Sequence, residues 1–480
     1  MKVVIMAGGK GTRITSVTKK FAAQYPELYN EAPDIPKPLL PIDGIPVLER
    51  EIYSLREQGF NKIIITVGYL SSIIMDYFGD GTCVSRATGK PFGVSISYFN
   101  EEIPLGNAGA LYKIYDDLKD GADEDFLLLT ADSVFDVNIR RFVEYHKMKG
   151  GWATLFTHPN SHPFDSSVVV ADMDCRVIEW LAKEDKRPVY FKNRVNAGLH
   201  ILNRKVLDIA VKNGTIVPEL IGTSNLQGSV VKVDLDRQLL KPLCGDKNSG
   251  AIFCYDSPEY VKDMGTPERF EQVLCDFKVG MIKRKNLQYK QRAFFLDRDG
   301  TINKYKGLIR SVDQIELIDG VAEAVKKINA SGSLCIIITN QPVVARGEVS
   351  DKLLGEIHDK LETELGRAGA YIDALYYCPH HPDRGFTGEI SSLKINCNCR
   401  KPKIGLVVKA AKDYNIDLTS SWFIGDSRND VLCGKNAGTK TVLLIGSDTD
   451  SNQHDGNKEN GQFGQDLTCN SLIEAVEQIL

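Results

Sequence analysis

Val3–Arg13 reads VVIMAGGKGTR, and Ala293–Thr301 reads AFFLDRDGT. Each is an apolar run of strand length that stops at a loop built for phosphate, glycine-rich and basic in the first, doubly acidic in the second. Strand-then-functional-loop is the unit of an open α/β sheet, whose ligands collect outside the carboxyl ends of the strands. The same rhythm recurs along the chain. β-Branched runs KIIITVGY (62–69), DFLLLTAD (125–132), LCIIITN (334–340) and WFIGD (422–426) alternate with helix-like VLEREIYSLREQG (47–59) and VAEAVKKINASG (321–332). That alternation predicts α/β architecture with largely parallel sheets in both halves.

A chain of 480 residues is too long for one ordinary core, and about 150 residues per domain suggests two to four domains. Residues 270–292 carry apolar positions at helical spacing and then KRKNLQYKQR, which reads as a closing helix followed by a polar connector. The expected division is a first domain at 1–278, a linker at 279–291 and a second domain at 292–480. The stretch 446–466, rich in Gly, Asn, Asp and Gln, reads as a mobile loop, and 470–480 as a helix packing back on the second domain. The chain is 42% hydrophobic and 25% charged, with a formal net charge of -4. This balance argues against nucleic acid as a partner. The apolar runs fall far short of the ~20 residues that span a bilayer, so no membrane partner is expected. Met1 leads directly into a β-type run without a signal-peptide pattern, and eleven mostly scattered cysteines suit a reducing compartment, so a cytoplasmic location is expected. A homo-oligomer is left open.

In the first half, Gly8, Gly9 and Gly11 clear side chains from a turn where backbone amides can meet phosphate oxygens, and Lys10 and Arg13 add positive charge. The spacing matches neither GxxxxGK[ST] nor GxGxxG. PKPLLP (36–41) places Lys37 in a proline-fixed, extended segment that could bring a third cation. Asp132 ends the LLLTAD strand, and Asp263 in DMGTPE stands before a glycine turn. Two isolated carboxylates are what Mg²⁺ prefers when nucleotide phosphates complete its shell. With PLGNAGAL (104–111) and VNAGLHIL (195–202), the set resembles the sugar-1-phosphate nucleotidyltransferases over roughly residues 1–278. The resemblance implies a Rossmann-like mixed sheet. It also implies that Lys10 and Arg13 hold the departing pyrophosphate and Lys37 the α-phosphate. Gly106, Asn107 and Gly109 would surround the nucleobase, Asn196 and Gly198 the sugar, and Asp132 and Asp263 the Mg²⁺.

In the second half, Asp297 and Asp299 end a strand, and residues i and i+2 face one side. One carboxylate can be a nucleophile while the other moves a proton. Thr339 and Asn340 close a second strand, Lys401 follows a cysteine pair, and Asp426 closes a third strand in IGDSRND. DRDGT, TNQ, RKP and GDSRND in that order resemble the haloacid dehalogenase superfamily. The resemblance implies a parallel sheet, Asp297 as nucleophile and Asp299 as general acid/base. It places Mg²⁺ on Asp297, Asp426 and the Asp299 carbonyl, and the substrate phosphate on Thr339 and Lys401.

CPHHP (378–382) and CNC (397–399) make a C-x-H plus C-x-C set, read as a structural Zn²⁺ staple on Cys378, His380, Cys397 and Cys399, with His381 the competing histidine. The staple would aim Arg400 and Lys401 at the substrate, and Arg346 is a candidate for a second phosphate. The combination is similar to the heptose 1,7-bisphosphate phosphatases, with histidinol-phosphate phosphatases the nearest alternative. A phosphatase that yields heptose 1-phosphate and a transferase that consumes it make consecutive steps. The expected substrates are heptose bisphosphate, heptose 1-phosphate and GTP. Mannose 1-phosphate with another nucleotide, or a half that only binds, are the alternatives.

Overall fold

The computed structural model describes residues 1–224, 228–245, 251–446 and 463–480. Most of the expected mobile loop, 447–462, lies outside the described residues. The chain divides into two compact units. The first comprises Met1–Thr157, Val169–Trp180 and Asn196–Asn286, and the second His158–Val168, Leu181–Val195 and Leu287–Leu480.

Thirteen strands precede residue 287 among the described residues: β1 (Lys2–Ala7), β2 (Pro41–Ile42), β3 (Ile45–Pro46), β4 (Lys62–Val67), β5 (Ser95–Asn100), β6 (Asp125–Thr130), β7 (Ser133–Asp136), β8 (Ala153–His158), β9 (Val168–Ala171), β10 (Val177–Leu181), β11 (Val195–Asn203), β12 (Ile252–Asp256) and β13 (Tyr260–Asp263). Nine of them form one mixed sheet, ordered β10-β9-β11-β6-β1-β4-β5, with β8 joining β11 to β12. β1 is parallel to both β4 and β6, whereas β11 runs antiparallel to β6. Central β1 is covered on both faces, which is why VVI is continuously apolar and fully buried. Val3 and Ile5 pack with Ile52 and Leu55 of the helix Val47–Glu57, while Val4 turns to the opposite core with Leu111 and Trp180.

One local expectation is corrected. The segment 36–41 is not extended throughout, because Lys37–Leu39 makes a 3-10 turn. Pro36 keeps extended dihedrals, and Pro38 enters the first turn, where a missing N–H costs nothing. The turn buries Lys37.

The second unit is built on β14 (Ala293–Leu296), β15 (Leu334–Asn340), β16 (Ala374–Cys378), β17 (Trp422–Gly425), β18 (Lys440–Leu444) and β19 (Leu467–Cys469). Their order is β16-β15-β14-β17-β18-β19 and every pairing is parallel. Strands β14, β15 and β17 lie side by side, so the residues that follow them share one edge of the sheet. Segment 181–195 belongs to this unit. Phe191 N donates to Thr363 Oγ1 (2.9 Å), Thr363 Oγ1 donates to the Phe191 carbonyl (3.1 Å), and Asn193 N donates to Glu362 Oε2 (2.9 Å), all on the helix Asp351–Arg367. Among the described residues no helix is long and apolar enough to cross a membrane.

Thr363→Val keeps the shape of that contact but strips both polar partners from buried Phe191. We expect a loss of about 1–3 kcal/mol in this unit, read as a lower urea midpoint with an unchanged m-value.

Candidate active sites

In the first unit the loop after β1 opens on a cavity of about 490 Å³. Gly8, Gly9, Lys10, Gly11, Arg13, Lys37, Gly106, Asn107 and Asp132 all line it, so most of the residues expected at the nucleotide meet there. Glu101, Thr130, Lys232 and Gly265 line it as well. Glu101 and Lys232 stand in no quoted motif, whereas Thr130 in LLLTAD and Gly265 in DMGTPE stand inside quoted motifs whose carboxylates alone were singled out.

The loop around Gly106 is held by backbone pairing. Ala108 N donates to the Val233 carbonyl (3.1 Å) and Val233 N to the Leu105 carbonyl (2.9 Å). Gly106 has a φ of 88°, and a Cβ there would collide with the Val233 carbonyl oxygen. Asn107 lines the cavity, but its Oδ1 accepts from Leu235 N at 2.7 Å, so that oxygen is committed to bracing the loop. Gly109, Asn196 and Gly198 do not line the cavity. Gly109 begins a short buried helix, where a Cβ would stand 2.7 Å from Leu105 Cβ. A Cβ on Gly198 would reach 3.4 Å from Thr130 Oγ1, one layer behind the wall. Asn196 Oδ1 accepts from His200 Nε2 at 3.1 Å.

Asp132 and Asp263 are brought together by strand pairing. β13 runs antiparallel to β7 with Asp263 opposite Ser133, and Met264 N donates to the Asp132 carbonyl (3.0 Å). Lys37 Nζ lies 3.2 Å from Asp132 Oδ2 and 3.3 Å from Asp263 Oδ1. Arg269 pairs with the other oxygen of Asp263. Two carboxylates converging on one cation form a hard-oxygen donor set that suits Mg²⁺. Burial also raises the pKa of Glu51 well above the usual carboxyl range, with Asp132 adding to the effect, and neither Glu51 oxygen finds a hydrogen-bond partner.

In the second unit Asp297 follows β14 and Asp426 follows β17. Oxygens of Asp297, Asp426 and Asp430 lie within 4.8 Å of one another. Gly300, at a φ of 81°, is required because a Cβ there would collide with the Asp426 carboxylate. Lys401 Nζ lies 2.5 Å from Asp297 Oδ1 and 2.7 Å from Asp430 Oδ1. Asp430 Oδ2 accepts from Ser427 N (3.1 Å) and Oγ (2.6 Å), so Asp430 is a bracket between the helix cap and Lys401. Burial pushes the Asp297 pKa upward. Burial alone would lower that of Lys401, but the Asp297 and Asp430 carboxylates raise it. The three clustered carboxylates, two of them on Lys401, again fit a bound divalent ion, whose charge would keep Asp297 ionised.

Asn340 braces the lysine, accepting from Lys401 N (3.0 Å) and donating to its carbonyl (3.2 Å). Thr339 Oγ1 accepts from Gln341 Nε2 (2.9 Å), and the same amide donates to Asp299 Oδ2 (3.0 Å). Gln341, Asn303 and Arg298 hold Asp299 and were overlooked, although Gln341 and Arg298 stand inside the quoted motifs.

The cysteine cluster converges without disulfides. Cys399 Sγ is 3.2 Å from both Cys378 Sγ and Cys397 Sγ, Cys378 Sγ is 3.5 Å from Cys397 Sγ, and His380 Nδ1 is 3.2 Å from Cys399 Sγ. Those edges suit four ligands on one tetrahedral metal ion. His381 is turned away, its Nδ1 accepting from Asp383 N at 3.2 Å. Arg346 lies 4.4 Å over the Phe386 ring with Lys394 at 4.5 Å. Burial lowers the Arg400 pKa, and the charge of Arg346 adds to that.

Comparison with known proteins agrees with this layout. The Nucleotidyl transferase family model matches residues 2–275, and a HAD-hydrolase-like model matches 398–475. D-glycero-beta-D-manno-heptose-1,7-bisphosphate 7-phosphatase of Haemophilus ducreyi is 35% identical over 190 residues, covering 39% of this chain and 98% of that protein. The D-glycero-alpha-D-manno-heptose-1,7-bisphosphate 7-phosphatase of Burkholderia mallei is 36% identical over 32% of this chain and 80% of its own length. The chain belongs to the nucleotidyl transferase and heptose-bisphosphate 7-phosphatase families. It is a nucleotidyltransferase and a phosphatase in one polypeptide. The solved structure of HddC from Yersinia pseudotuberculosis is similar with a TM-score of 0.40 and 21% identity, over 57% of this chain and 99% of that one.

His200 gives the transferase unit a pH signature. Burial lowers its pKa from 6.5 to about 4. The unfolded chain takes up the proton near the ordinary value while the folded one refuses it, so this contribution is full above about 6.5 and is lost as pH falls toward about 4. Unfolding free energies from urea titrations should fall across that window by up to about 1.4 kcal/mol per pH unit more in the parent than in His200→Gln.

Proposed function

We propose that the chain performs two consecutive steps of nucleotide-activated heptose synthesis in the cytoplasm, with the transferase at 1–278, a linker at 279–291 and the phosphatase at 292–480. The observation that carries the reading is the presence in one chain of a basic glycine loop beside paired carboxylates and a strand-end Asp297 beside Lys401 and Asp426. The near-complete coverage of the Haemophilus ducreyi phosphatase supports a heptose bisphosphate as the first substrate.

In the phosphatase, Asp297 attacks the C7 phosphorus, the bond to the sugar oxygen breaks, and Asp299 hands that oxygen a proton. Asp299 then takes a proton from the water that cleaves the aspartyl-phosphate. Lys401 and Thr339 hold the phosphoryl oxygens, and Arg346 and Arg400 meet the phosphate left at C1. In the transferase, a phosphate oxygen of heptose 1-phosphate attacks the α-phosphorus of GTP in line. Pyrophosphate leaves against Lys10 and Arg13 while Lys37 neutralises the α-phosphate. Gly106 and Asn107 shape the base site from the cavity wall, backed by Gly109, and Asn196 and Gly198 support the sugar side from behind that wall. Mg²⁺ on Asp132 and Asp263, and on Asp297, Asp426 and the Asp299 carbonyl, supplies charge neutralisation when bound. The guanine assignment follows from the α-anomeric heptose route, which ends in a GDP-sugar, and relatives of both anomeric classes match the chain. Zn²⁺ on Cys378, His380, Cys397 and Cys399 staples the loop that delivers Arg400 and Lys401.

The test is a mass-resolved assay of the full chain with Mg²⁺, α-heptose 1,7-bisphosphate and each nucleoside triphosphate in turn. Phosphate release followed by GDP-heptose is the expected outcome, and phosphate release without any nucleotide sugar refutes the guanylyltransferase. Asp297→Asn should abolish phosphate release while pyrophosphate release from supplied heptose 1-phosphate persists, and Asp132→Asn should do the converse. Stripping the zinc with a chelator should cut phosphate release about tenfold or more and spare pyrophosphate release once Mg²⁺ is restored.

A further inference from the structure

Arg298, between the two catalytic carboxylates in the chain, is fully buried. Its guanidinium forks onto Asp299, with Nε 3.0 Å from Oδ1 and Nη2 2.9 Å from Oδ1 and 2.7 Å from Oδ2. Its remaining edge meets the helix Asp351–Arg367, where Nη1 lies 3.2 Å from His358 Nε2. A guanidinium has donors and no acceptor, so His358 Nε2 must be the acceptor. The imidazole is therefore neutral, with its proton on Nδ1. Its surroundings keep it so, since burial first and then the charges of Arg298 and Lys192 push its pKa well below the ordinary value. The Tyr377 ring packs 5.6 Å from it. Asn303 Nδ2 and Gln341 Nε2 each donate to Asp299 at 3.0 Å.

We propose that His358 is a positioning residue of the phosphatase. By accepting from Nη1 it sets the plane of the Arg298 guanidinium, and through it the direction in which the Asp299 carboxyl presents its proton. The proposal rests on the reading of Asp299 as general acid/base. In the first half-reaction an Asp297 oxygen forms a bond to phosphorus, the phosphorus–oxygen bond to the alcohol breaks, and the Asp299 proton goes to the leaving oxygen. An alkoxide needs that proton, whereas p-nitrophenolate departs without it. A misdirected Asp299 should therefore slow alkyl esters selectively. A residue that only supports the fold would slow both classes alike.

The experiment compares kcat/KM, which reports steps through leaving-group departure, for the full-length parent, His358→Leu and His358→Gln. The substrates are two alkyl monoesters, heptose 1,7-bisphosphate and glycerol 1-phosphate, and p-nitrophenyl phosphate. His358→Leu should lose about tenfold or more on the alkyl ester that the parent cleaves and stay within about twofold on the aryl ester. His358→Gln, whose amide oxygen accepts from the same donor, should recover most of the loss. Aryl-ester turnover doubles as the check that the variant is folded. Equal losses on both classes, no loss on either, or a glutamine variant as poor as leucine would overturn the role of His358 alone. A parent that cleaves neither class would overturn the phosphatase reading and this role with it. Cleavage of the aryl ester only would overturn it too, since a proton-donating Asp299 would then be idle.

Discussion

Lys37 and Lys401 are 8% and 5% exposed, and each ammonium is held between carboxylates that the chain supplies from far away. Lys37 sits between Asp132 and Asp263, and Lys401 between Asp297 and Asp430. Burying a cation is costly unless opposite charge and hydrogen bonds surround it, and removing either partner leaves the other stranded. The rest of each site is arranged around this constraint. Asn340 clamps the backbone of Lys401 from both sides, and Ser427 turns Asp430 toward the lysine. In the other unit, the 3-10 turn at Lys37–Leu39 buries the lysine stem and the β13–β7 pairing delivers Asp263.

The same arrangement explains how one motif of charge can serve two reactions. A phosphate oxygen entering either site would find a lysine held by carboxylates, of which Asp132, Asp263 and Asp297 are also donors a divalent ion would use. Cation, carboxylates and phosphate can then exchange partners without any of them being left bare in a buried place. The reactions diverge in what stands beside that core. The first unit has a glycine turn and the open wall at Gly9 to receive a triphosphate. The second has Asp297 at a strand end beside Lys401, and a second carboxyl, Asp299, held by three side chains.

Much of this was legible in the residues. The strand at Val3–Ile5, the parallel sheet behind Asp297 and the cysteine pairs are local patterns, and short continuous apolar runs or ligand spacing are enough to read them. The position of Lys37 in a 3-10 turn was not legible, because PKP is compatible with both an extended segment and a turn. Glu101 and Lys232 were missed for a different reason. Their importance comes from what they face, and nothing in their immediate neighbours marks it. Asn107 was read as part of the base loop, and its side chain proves committed to Leu235 N, a partner 128 residues away.

The sequence by itself determined which chemistries this chain carries. Strand-end carboxylates, a basic glycine loop and four soft ligands at metal spacing are fixed by residue type and short-range periodicity. Only the tertiary structure decided which partners meet. Lys37 and Asp263 are 226 residues apart, and their encounter depends on the register of one short antiparallel pair. His380 rather than His381 turns toward the sulfurs, and segment 181–195 joins the second unit. Each of these is a long-range choice among locally equivalent options, settled by burial and by hydrogen bonds that form only once distant strands have paired.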